Sequence, residues 1–78
     1  MSFEVIHNAT HPVGKAKTFS EAQALMHDKA MEKEVELCRL HPGANIKAGW
    51  NRDSFYLDAM RGDTSLQREF WRIEERCS

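Results

Sequence analysis

Apolar positions recur at steps of three and four through Phe19, Ala22, Met26 and Ala30, which places them on one face of a helix. Thr18, followed three residues later by Glu21, has the form of a capping box: the hydroxyl accepts from an orphan amide and the carboxylate reaches back. No Gly or Pro interrupts the stretch from Ser20 to His41, and Pro42-Gly43 then stops it, so the pattern predicts a helix from about Ser20 to Leu40. Residues 33–40 also admit a second reading. Glu34-Val35-Glu36-Leu37 alternates with period two, as an edge strand does.

Before this helix, Phe3-Glu4-Val5-Ile6-His7 is short, apolar and β-branched, and reads as a strand. Asn8 to Pro12 is turn chemistry, and Val13 to Phe19 returns as a second strand. A lone hairpin is marginal in water, so it is expected to pack on the helix face carrying Ala22, Met26 and Ala30. Ala44 to Trp50 is a loop or a short strand.

In the last third, Asp53 is positioned to cap a short helix in which Phe55 with Ala59, and Tyr56 with Met60, are i,i+4 pairs. Gly62 stands where a left-handed C-cap residue belongs, and Arg61-Gly62-Asp63 reads as a turn. Thr64 and Gln67 form a second capping box. Leu66, Phe70, Ile73 and Cys77 follow at steps of four, three and four, which predicts a helix from about Ser65 to Cys77 with Phe70 in the core. The expected fold class is α+β: one domain over 1–78, with a ββα unit at 3–40 and two shorter C-terminal helices in a helical part at 53–77.

Composition narrows the function. A chain of 78 residues, 41% hydrophobic and 29% charged, suits one small globular domain. Such a domain buries only about 60% of its unfolded surface, so a staple or partner would help it. The net charge of −1 lacks the basic excess on which dedicated nucleic-acid binders depend. No apolar run is long enough to cross a membrane, and the N-terminus has no signal-peptide pattern. A cytoplasmic location is expected, with Cys38 and Cys77 as reduced thiols and no membrane partner.

Three constellations could carry chemistry. His7-x3-His11 and Cys38-x2-His41 are two ligand pairs whose spacing suits a zinc staple, though the Cys-x2-Cys form is absent and no cofactor is expected. The two C-terminal helices around Gly62-Asp63-Thr64 have the length of a helix-turn-helix, in which Ser65 to Arg76 would be the reading helix. Gln67 and Arg68 would meet base edges, and Glu69, Glu74 and Glu75 would oppose phosphates. Third, the aromatic and Arg residues crowd toward the C-terminus, and Trp, Tyr and Arg dominate interface hot spots. Trp50, Arg52, Tyr56, Arg68, Trp71 and Arg72 are therefore the candidate protein-binding residues. Enzymatic motifs are absent: Cys38 with His41 and His27 with Asp28 are pairs without an orienting third group.

The opening Phe3-Glu4-Val5-Ile6 and Gly14-Lys15-Ala16-Lys17-Thr18-Phe19-Ser20-Glu21-Ala22, with the small size and near-neutral charge, resembles the stand-alone accessory proteins of phages and mobile elements. The anti-CRISPR type of inhibitor is among them. That resemblance implies a non-enzymatic module, monomeric or homodimeric, that binds a larger host protein complex stoichiometrically. It assigns no residue a role. A helix-turn-helix DNA-binding regulator is the alternative expectation, and a small zinc-stapled domain a minor one.

Overall fold

A computed structural model describes residues 2–76. The chain runs β1 (Ser2–His7), β2 (His11–Ala16), α1 (Phe19–Leu40), β3 (Asn45–Trp50), β4 (Ser54–Arg61) and β5 (Thr64–Arg76). All five strands join one antiparallel sheet in the order β2-β1-β5-β4-β3, with α1 across one face. The strand latest in sequence is thus the middle of the sheet.

The helix forms where the capping box places it. Thr18 is extended at φ −124°, and its hydroxyl accepts from the Glu21 amide at 3.1 Å. Four residues of α1, Ala22, Met26, Ala30 and Leu37, are buried against the sheet. Residues 33–40 are helical rather than extended, so Leu37 points inward while Val35 stays 59% exposed. The cap residue His41 donates its amide to the Leu37 carbonyl at 2.9 Å, and Pro42 and Gly43 then turn the chain into β3.

The two C-terminal helices do not exist. Residues 54–61 and 64–76 are strands, and the expected three-helix arrangement is replaced by a five-stranded sheet with one helix. Two physical causes stand out. Phe55, Leu57 and Ala59 alternate with period two toward α1, a pattern that outweighs the i,i+4 pairs. Gly62, at φ +62°, sits in a two-residue hairpin loop between Arg61 and Thr64, which pair across the ladder. What resembled a helix C-cap is therefore a β-turn, and Thr64 opens a strand rather than capping a helix. Cys77 lies outside the described residues.

Period two sorts the side chains onto two faces. Val5, Phe55, Leu57, Ala59, Trp71 and Ile73 meet α1 and make the core. Among the described residues, no helix covers the opposite face. Ile6 on that face is still buried, set between Pro12 and Arg72 in neighbouring strands.

The β1–β2 turn carries backbone strain. Asn8 and Ala9 have φ of 50° and 71°, a region that costs a non-glycine residue roughly 1–2 kcal/mol. Asn8 offsets this by clamping β5. It exchanges backbone and side-chain bonds with Phe70 (2.9 and 3.1 Å), and its side-chain amide donates to Glu69 at 3.0 Å.

Candidate binding surface

On the open face, Tyr56 of β4 and Phe70 of β5 are direct cross-strand partners, 47% and 38% exposed. Apolar rings left this open on adjacent inner strands form a platform without a lid. Arg68 and Arg72 project from β5 on either side of Phe70, two residues away in each direction.

Part of the surrounding charge is paired. Asp58 accepts from Ser65 Oγ at 2.6 Å and meets Arg68 Nη2 at 3.5 Å. Farther along β5, Arg72 bonds Glu74 at 2.9 Å, and Arg76 bridges Glu4 at 3.1 Å and Glu74 at 3.5 Å. The hydrogen bond from Arg72, aided by the charges of Arg72 and Arg76, holds the Glu74 carboxyl below its ordinary range.

The formal balance differs between the two sides. The open face sets Lys15, Lys47, Arg68, Arg72 and Arg76 against Glu4, Asp58 and Glu74. Helix α1 sets Glu21, Asp28, Glu32, Glu34 and Glu36 against Lys29, Lys33 and Arg39. A chain of net charge −1 is therefore polarised, basic on the sheet and acidic on the helix.

The six candidate binding residues do not form one patch. Tyr56, Arg68 and Arg72 share the open face. Trp50 and Arg52 lie on the helix side: Trp50 stacks on Phe55 with centroids 5.8 Å apart, and the Arg52 guanidinium sits 5.1 Å over the Phe19 ring. Trp71 is only 2% exposed, stacked on His7 at 4.9 Å, and offers a partner no surface. Phe70 moves the other way, from expected core to open platform. Read with period two, Arg68-x-Phe70-x-Arg72 is a single strand face, and that is the signal that identifies Phe70.

The four zinc candidates are likewise dispersed. His7 and His11 pair across the first hairpin, Cys38 is exposed on α1, and His41 Nε2 lies 3.0 Å from Gln67 Oε1. Among the described residues, no three His, Cys, Asp or Glu side chains converge as metal ligands do.

One polar cluster is held inside. Glu69 faces α1, 7% exposed, and receives the Asn8 amide while His7 Nε2 (3.4 Å) and Lys33 Nζ (3.5 Å) approach its other oxygen. Burial pushes the Glu69 carboxyl up. The Asn8 hydrogen bond and the His7 and Lys33 charges outweigh it, leaving the carboxyl below its ordinary 4.5. A carboxyl depressed on folding adds stability that is present above 4.5 and lost as pH falls through the lower folded value. Urea midpoints are therefore expected to fall on acidification below that range, and Glu69→Gln is expected to flatten part of the fall. An acid limb unchanged in Glu69→Gln would exclude this cluster as its source.

No family model, curated protein or solved structure matches this chain.

Proposed function

We propose that the protein is a non-enzymatic binding module that modulates a larger protein assembly stoichiometrically through the open face of its sheet. The observation that carries this reading is the exposed Tyr56–Phe70 pair between Arg68 and Arg72. Aromatic rings bring contact area at little entropic cost, and guanidinium groups bring directional bonds to carboxylates. The basic balance of this face against the acidic helix favours a partner surface that carries Asp or Glu around an apolar centre. We place that partner in the cytoplasm, where the exposed Cys38 thiol stays reduced.

Affinity capture from the source cells tests this reading. Tyr56→Ala and Arg72→Ala are each expected to weaken capture of the specific partner by at least about 2 kcal/mol, or thirtyfold, if they act as hot spots. Val35→Ala on the opposite surface should leave capture unchanged. Equal capture by all three variants would remove the open face from the function.

A second reading draws on the same rings. Side-by-side aromatics on inner strands with arginines on either side of them also suit stacking of single-stranded bases. Fluorescence anisotropy with labelled single strands at low salt separates the two. No association in the micromolar range is expected, because Glu74 and Asp58 oppose a phosphate backbone. Tight binding that weakens steeply with salt and is lost in Tyr56→Ala would make nucleic acid the partner.

A further inference from the structure

The two edges of the sheet differ in how they are protected. Strand β2 carries Pro12, which has no amide to offer, and its register against β1 breaks between Val5 and Ile6. Both features blunt an edge against foreign strands. Strand β3 has neither. Its six residues, Asn45-Ile46-Lys47-Ala48-Gly49-Trp50, pair with β4 without a register shift and contain no proline.

The direction of its free groups follows from the turn. The Asn51 amide bonds the Ser54 carbonyl at 2.9 Å, which makes Asn51–Ser54 a hydrogen-bonded pair. Such pairs alternate along an antiparallel ladder. Gly49, Lys47 and Asn45 therefore spend their backbone groups on β4, while Trp50, Ala48 and Ile46 point theirs outward.

From this we propose that β3 pairs with β3 of a second copy of this chain, antiparallel and centred on Ala48, to give a two-fold symmetric dimer with one continuous sheet. The register is selected by three features. Centring on Ala48 joins every outward group: two backbone bonds form between the two Ala48 residues, and two more at each Ile46–Trp50 pair. Centring on Lys47 or Gly49 loses one of those pairs, and Lys47 would also set two ammonium groups opposite each other.

The side chains agree with that register. Ala48, small and exposed, meets itself on the axis. Trp50, 66% exposed in the single chain, gains Ile46 of the second copy as its cross-strand neighbour. Lys47 faces Gly49 of the second copy, where the Tyr56 ring lies so close that no Cβ fits, and a lysine stem there lies beside an aromatic face. A second copy fits better than an unrelated strand because the edge is complementary to its own reversed sequence. Both open faces then lie on the same side of the joined sheet.

Sedimentation across a concentration series tests the pairing. The wild-type chain is expected to pass from 9.0 kDa to twice that mass, with a midpoint near 10–100 μM, given the modest area of a six-residue edge. A mass that stays at 9.0 kDa up to about 1 mM overturns the proposal. Ala48→Glu and Ala48→Lys each place like charges face to face and are expected to weaken association at least about 100-fold. Mixed one to one, they should restore it. Variants that dimerise normally alone, or fail to associate when mixed, overturn the register. Should a charged variant lose its circular-dichroism melt, Ala48→Pro serves instead. It removes only an outward amide and leaves the β3–β4 ladder whole, so it should stay folded and monomeric. Its dimerising like wild type would count against the pairing.

Discussion

Trp71→Ala is expected to cost about 3–5 kcal/mol, enough to unfold a domain of this size at room temperature. Its side chain is 2% exposed at the centre of the sheet, stacked on His7 at 4.9 Å and edge-on to Phe55 at 6.4 Å. Those neighbours are anchored elsewhere, His7 in β1 and Phe55 in β4, so the cavity has little freedom to collapse. The neighbouring variant Phe70→Ala, on the open face, is expected to cost only about 0.5–1 kcal/mol through its lost cross-strand contact. Urea denaturation followed by circular dichroism measures both. If Phe70→Ala proves the costlier of the two, β5 is out of register by one residue, since a single slip exchanges its faces.

The second large effect is expected at the far end of the helix. Leu37→Ala should destabilise the protein by about 2–5 kcal/mol, whereas Val35→Ala should stay within about 0.5 kcal/mol. In a strand, positions 35 and 37 share a face and would respond alike. In α1 they are separated, Leu37 fully buried and Val35 59% exposed. Comparable losses from both variants would favour the extended alternative for residues 33–40.

How much of this was legible in the sequence depends on where the apolar residues fall. Helix α1 is readable because Thr18 and Glu21 mark the start and Ala22, Met26 and Ala30 repeat with one period, and the first hairpin is readable in kind, although its second strand runs His11–Ala16 instead of Val13 to Phe19. The strand at β5 is not, because its inward face is partly polar. Gln67 and Glu69 precede Trp71 and Ile73 there and Glu75 follows them, so the hydrophobic alternation that marks a strand is broken. What survives is Leu66, Phe70 and Ile73, which belong to both faces and happen to be spaced like a helix. Glu69 can occupy an inward position because Asn8, His7 and Lys33, all distant in sequence, reach it, and no local pattern announces such contacts. The open face is half readable: residue type points to Tyr56, Arg68 and Arg72, but helical spacing assigns Phe70 to the core and residue type assigns Trp71 to the surface, the reverse of where they lie.

The central position of β5 also sets an order of events in time. Its ladders to β1 and β4 lie on either side, and the β1 ladder joins Ser2 to Arg76 across almost the whole chain. The β1–β2 hairpin and α1 can form early as local pieces and meet each other directly, but the core they share is completed only when these thirteen residues arrive between β1 and β4. Closing contacts of such separation costs chain entropy before any burial offsets it, and this slows folding relative to helical domains of equal size. Until that closure, the core around Val5, Leu37 and Phe55 lacks Trp71 and Ile73 and is incompletely covered, so the interval before β5 docks is when this protein is most exposed to aggregation.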